Sequence, residues 1–187
     1  MYKRQDELDQ LEADIQTREY RAPEAIVGAS PYSGAADVWS AGCIVFEILT
    51  GELLFEVASP APGEPHSKDE AHLAQISEIL GALPGGLVAR GRRAARGRWY
   101  DDAAEPPCLR RVEAAPRDGA APGSAQLEEL LVGAFGLDAD DGADAAAFLV
   151  TVLAIDPAAR LAAPAALEHA WLADLPEDDD DPENMEF

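Results

Sequence analysis

The stretch at residues 37–49, DVWSAGCIVFEIL, constrains the fold more than any other part of the chain. On a helical wheel its large apolar side chains fall on nearly every face rather than along one stripe, and Gly51 stands just past its end as a stop signal. A helix that is apolar all round is stable only when other elements surround it. Residues 37–49 are therefore predicted to form a helix buried on all sides at the centre of a helical core.

The neighbouring segments read as its surroundings. Residues 69–83 place Leu73, Ile76, Ile79, Leu80 and Leu83 on one stripe, which predicts a second helix lying on a surface. Residues 127–135, 143–155 and 164–172 read as three more helices, the last opened by Pro164 in its first turn. Leu8, Leu11 and Ile15 predict a short amphipathic helix near the start. Between these lie a loop at 14–31 broken by Pro23, Gly28 and Pro31, and a Pro/Gly-containing insertion at 56–68. A long irregular connection follows at 84–122, anchored by Trp99, Tyr100, Leu109 and Val112. No strand run and no internal repeat is found. The fold class is mainly α with long irregular connections.

The 187 residues are 48% hydrophobic, enough for one domain with a sizeable core. A formal net charge of -22 repels nucleic acid and anionic membrane and attracts basic partners. Residues 174–187 form an acidic tail that cannot bury apolar surface and is expected to stay solvated and disordered. Cys43 and Cys108 are too few for a disulfide framework or a cysteine-based zinc site, and the three histidines show no ligand spacing. No apolar run approaches the roughly 20 residues needed to span a bilayer. An intracellular protein, cytoplasmic and nuclear, without a membrane partner, is the expectation. The run ARGRRAARGR at 89–98, followed by Trp99 and Tyr100, offers one competing possibility, a contact with RNA. The overall charge weighs against it, so no direct nucleic-acid partner is expected.

Three ordered motifs carry a family resemblance. DIQTREYRAPE at 14–24 resembles the end of a protein-kinase activation segment, with Ala22, Pro23 and Glu24 as its A-P-E signature. ADVWSAGCIVFEILTGELLF at 36–55 is similar to the central helix of the kinase C-terminal lobe, and IDPAARLAAPAALEHAWL at 155–172 to the closing kinase motif. TGELLFE, the insertion, and KDEAHLAQISEILG at 68–81 resemble the SR-protein kinases among eukaryotic serine/threonine kinases. The resemblance implies a partial kinase domain at 14–173, the helical C-terminal lobe truncated just before Asp14, with a non-family segment at 1–13.

What the resemblance implies for individual residues is specific. Arg160 would form a buried ion pair with Glu24, and Asp37, Trp39 and Gly42 belong to the structural signature. Asp37 would accept hydrogen bonds from a catalytic loop; without kinship it is an acid at a helix N-terminus. Thr17, Arg18, Tyr20 and Arg21 would form the pocket for the residue that follows the phosphorylated one. Glu52 and Glu78 would lie in an acidic groove that docks Arg/Ser-rich substrates, and a third groove position falls at Ala71, which has no carboxylate.

A complete family member uses ATP and magnesium, held by a glycine-rich loop, a lysine, an H-R-D catalytic loop and a D-F-G aspartate. None of these motifs occurs in this sequence. No catalytic residue, metal ligand or bound cofactor is therefore expected in this chain. Two functions remain open: the docking part of a kinase acting on Arg/Ser-rich proteins, and a noncatalytic module or decoy for such basic peptides. The partners expected are basic Arg/Ser-rich proteins and the missing kinase portion. Without that portion the central helix is predicted to leave Val38, Ile44, Val45 or Ile48 partly exposed and the isolated chain marginal.

Overall fold

A computed structural model describes residues 15–57, 59–92, 99–101, 108–109 and 123–173. The chain enters through a 3-10 turn at Arg18–Tyr20 and continues into α1 (Pro23–Val27) and α2 (Ala35–Thr50). Helices α3 (Lys68–Leu80) and α4 (Gly85–Arg90) follow, then strands β1 (Tyr100–Asp101) and β2 (Cys108–Leu109), paired antiparallel. Helix α5 (Ser124–Glu128) runs into a π-helical turn at Glu129–Ala134, and α6 (Ala139–Val152), α7 (Ala163–Leu167) and α8 (Ala170–Ala173) close the chain. The architecture is mainly helical and compatible with a kinase-like fold. No helix among the described residues is long and apolar enough to cross a membrane.

Helix α2 organises the core. Trp39, Cys43 and Phe46 are buried along it, and each large ring taken from water stabilises the fold by about 1.5–3 kcal/mol. Gly51 ends the helix in the left-handed region at φ 76°, where glycine carries no steric penalty, and its N–H donates to the Glu47 carbonyl at 2.7 Å. Helix α6 crosses α2 at Gly42: a Cβ there would lie 2.8 Å from Leu153 Cδ2, so the close approach depends on the missing side chain. Helix α3 packs on α1 and α5, and α4 on α1. Ser67 and Glu70 form a reciprocal capping box that starts α3.

Several sequence expectations are corrected. For helix α2 the all-round burial fails while the open face holds: among the described residues Ile48 is 76% exposed and Ile44 42%, the exposure expected of them, whereas Val38 is buried and Val45 half-buried. Asp37, Ile44 and Ile48 recur at near-helical spacing, so they share the face opposite Trp39 and Phe46. The loop expected at 14–31 contains α1, because Pro23 occupies the first helical position, where its missing N–H costs nothing. The connection expected at 84–122 contains α4 and the strand pair. Gly85 and Gly86 disguise α4 in sequence, and burial of Leu87 and Val88 stabilises it in spite of them. The helix expected at 164–172 breaks at Glu168 and His169, where the Trp171 N–H donates to His169 Nδ1 at 3.3 Å and Phe148 packs against both rings. The helix expected around Leu8 and Leu11, the anchor Val112, most of the arginine run and the tail at 174–187 lie outside the described residues.

Candidate functional site

The loop before α1 is built around Gln16, whose backbone takes a left-handed φ of 66°. Its side chain compensates for that strain. Gln16 Nε2 donates to the Ala36 carbonyl at 2.6 Å and to Ser40 Oγ at 2.7 Å, while Oε1 accepts the Ala22 N–H at 3.0 Å. Ser40 Oγ donates in turn to the Tyr20 carbonyl, and the Arg21 guanidinium donates to the carbonyls of Ile15 and Gln16. One amide thus ties the segment 16–22 to the first turns of α2.

The four loop residues singled out in sequence are arranged unequally. Arg18 Nη1 pairs with Asp69 Oδ1 at 2.6 Å, joining the loop to the first turn of α3. The Tyr20 hydroxyl donates to Glu47 Oε2 at 2.6 Å, and that bond to a carboxylate raises the phenol above its ordinary value. Arg21 is buried. Thr17 is exposed at the tip, with its carbonyl accepting the Tyr20 N–H.

Glu24 and Arg160 meet in the core behind this loop. Arg160 Nη1 donates to Glu24 Oε1 at 2.7 Å and Nη2 to Oε2 at 2.9 Å, with the two side chains 4% exposed or less. Arg160 also donates to the carbonyls of Ala35 and Ala154, so its guanidinium is satisfied on several sides. The same guanidinium lies 5.0 Å from the Trp39 ring centroid, Trp39 stacks on Phe55 at 5.9 Å, and Phe55 meets His72 at 5.4 Å. This column runs from the closing motif to α3. Asp37 is exposed at the start of α2.

His72 ends the column fully buried, with neither ring nitrogen hydrogen-bonded. Burial, reinforced by the positive charge of Arg18, lowers its pKa to about 4. It is neutral at pH 7. Burial likewise pushes the Cys43 thiol and the Tyr100 phenol up, so neither ionises near neutrality.

Insertion of Phe55 against Trp39 fixes the strap 53–56 beside α3, and the two border, with α5 and the turn after it, an open cavity of about 240 Å³. Glu78 lines it, as do Leu53, Leu54, Ile79 and Leu130. Glu52 does not; it is exposed at the end of α2. Glu56, Gln75 and Gln126 line the cavity as well, and Gln75 Nε2 donates to the Glu56 carbonyl at 2.8 Å. Sequence reasoning missed these three, along with Gln16, Asp69 and Glu47. Only Asp69 carried a local signal, as an acid in the first turn of a helix.

The protein kinase domain model matches residues 2–172. Among curated proteins, serine/threonine-protein kinase SKY1 of Saccharomyces cerevisiae is 34% identical over 160 residues, covering 86% of this chain and 19% of that protein. Serine/threonine-protein kinase SRPK of Physarum polycephalum is 31% identical over 163 residues, 87% of this chain and 35% of that protein. SRSF protein kinase 3 of Homo sapiens is 35% identical over 159 residues, 85% of this chain and 25% of that protein. The chain thus spans about a fifth to a third of the length of these relatives. The chain belongs to the protein kinase domain family, and its sequence is of the SR-protein kinase type.

Proposed function

We propose that this chain carries the substrate-docking part of an SR-protein kinase, holding basic Arg/Ser-rich peptides for phosphorylation by the complete enzyme. The observation that carries the reading is the cavity between the strap 53–56 and α3, with carboxylates on both of its walls in a chain of net charge -22. Carboxylates spaced along a groove engage guanidinium groups by charge-assisted hydrogen bonds, and the wider negative field speeds encounter. Glu78 is the docking acid inside the cavity, and Glu52 acts from outside as a steering charge.

The loop 17–21 supplies the second contact. Arg18, Tyr20 and Arg21 are engaged with Asp69, Glu47 and loop carbonyls, so they hold the loop's shape. Thr17, exposed at its tip, is the residue that meets the substrate position after the phosphorylated one. Glu24 and Arg160, with Ala22, Pro23, Trp39 and Gly42, form the frame behind it. The functional domain extends over residues 14–173, and the protein acts in the cytoplasm and nucleus.

Kinases of this family use ATP and magnesium. The described residues provide no group of three or more His, Cys, Asp or Glu side chains able to hold a metal ion, and the sequence has no H-R-D or D-F-G motif. No phosphoryl-transfer step is assigned to this chain.

Titration of a fluorescent Arg/Ser peptide tests the docking reading. Glu78→Gln is expected to weaken binding about tenfold, as for loss of one hydrogen bond to a charged group, and Glu52→Gln about twofold, as for an exposed charge. Affinity unchanged in both variants would overturn it.

A further inference from the structure

The geometry points to Ser30 as a phosphorylation site whose phosphate is held by Arg92, an inference independent of the docking reading. Ser30 lies in the loop between α1 and α2, half-buried and outside any helix, and its Oγ already accepts a hydrogen bond from Arg92 Nη2 at 2.6 Å. Two further contacts hold these partners together. The Arg92 N–H donates to the Gly28 carbonyl at 3.3 Å, and Gly91 passes so close to α1 that a Cβ on it would lie 2.8 Å from Val27 Cβ. The backbone leaving α4 thus delivers a guanidinium to Ser30 across a sequence separation of 62 residues.

The distribution of charge along the chain says which group this meeting suits. The sequence has 36 acidic residues, yet none falls in 25–36, around Ser30, or in 79–100, around Arg92. The second segment instead holds Arg90, Arg92, Arg93, Arg96 and Arg98, five of the 14 basic residues. A phosphate on Ser30 would bring the anion that neither segment contains. It carries about -1.5 to -2 charge at pH 7 and three strong acceptor oxygens. A guanidinium meets such a group through two parallel N–H donors of its five, and the charge-assisted bonds are roughly twice as strong as the neutral one to the hydroxyl. Opposite arginine a phosphate orders a loop, whereas beside carboxylates it would expel one.

The step is transfer of the γ-phosphoryl group of ATP by a protein kinase acting in trans. The bond from phosphorus to Ser30 Oγ forms, the bond to the β-phosphate oxygen breaks, the hydroxyl proton passes to that enzyme's general base, and ADP leaves. The loop joins the helix that carries Glu24 to the helix that carries Trp39, so the phosphate braces the frame behind residues 16–22.

The test uses the full chain with phosphoserine placed at position 30 during translation. In a phosphorus NMR titration its second ionisation is expected at least about half a pH unit below that of the same phosphoserine in Arg92→Gln, because a neighbouring cation favours the dianion. The phosphorylated chain should melt about 2–4 °C above the unmodified one, and Arg92→Gln should abolish that gain. Inorganic phosphate added to the unmodified chain should leave its melting temperature unchanged. Should Arg92→Gln not fold, Arg92→Lys serves in its place; it keeps the charge without the fork and should lose part of the gain. Phosphopeptide mapping of the chain isolated from its source cells under phosphatase inhibition should find phosphate on Ser30 in the tryptic peptide 22–68. Absence of phosphate there, an ionisation and melting temperature unmoved by the Arg92 variants, or equal stabilisation by free phosphate overturns the inference and leaves docking intact.

Discussion

Arg160 and Glu24 stand 136 positions apart and meet through two parallel hydrogen bonds in the core, beneath the loop that carries Thr17. Because the guanidinium is also held by backbone carbonyls, losing the carboxylate would strand a buried cation. Glu24→Ala and Arg160→Ala should each destabilise the chain by about 3–5 kcal/mol, and the double variant by less than their sum. Urea unfolding of the three variants checks this, and additive losses would contradict it.

Gln16 yields a prediction with an unusual order. Both Gln16→Ala and Gln16→Gly remove the amide that ties the loop to Ala36, Ser40 and Ala22, at about 1–3 kcal/mol. Glycine accepts φ 66° without penalty and alanine does not. The glycine variant should therefore be the more stable of the two by about 1 kcal/mol, and a glycine variant equal to or weaker than alanine in thermal unfolding would show that the strain is not real.

His72 makes the fold acid-sensitive in a defined window. Its folded pKa of about 4 lies below the ordinary 6.5, so between these values the unfolded chain binds the extra proton. The contribution is full above pH 6.5 and is lost as pH falls towards 4, by up to about 3 kcal/mol. Arg18 and Arg21 oppose protonation and Asp69 favours it. His72→Phe should flatten the stability profile between pH 4.5 and 6.5 relative to wild type; parallel profiles would place the sensitivity elsewhere.

The exposed stripe of α2 predicts behaviour in solution. Ile48→Lys changes a side chain that is 76% exposed, so stability should shift by no more than about 0.5 kcal/mol. Concentration-dependent association, read by sedimentation, should fall if Ile44 and Ile48 form a sticky face. Association unchanged in the variant would contradict that.

Helix α2 was legible because a thirteen-residue stretch with large apolar side chains on nearly every face and a terminal glycine leave few alternatives. Helix α3 was legible from its stripe. Helix α4 was not, since two glycines hide a segment held by tertiary burial of Leu87 and Val88. The same contrast holds at the site. Glu24 and Arg160 could be paired from the ordered kinase motifs, whereas Gln16 and Gln75 are amides whose importance lies in where long-range packing leaves a partner or none. Glu56 was overlooked for Glu52 because sequence spacing does not show which carboxylate borders the cavity; Glu56 lines it, while exposed, and Glu52 does not.

The most direct test of the account incubates the chain with ATP, magnesium and a fluorescent Arg/Ser peptide, reading anisotropy and phosphate incorporation in the same sample. The account predicts saturable binding with no phosphate transferred. Phosphorylated peptide, or anisotropy that never rises above that of free peptide, would contradict it.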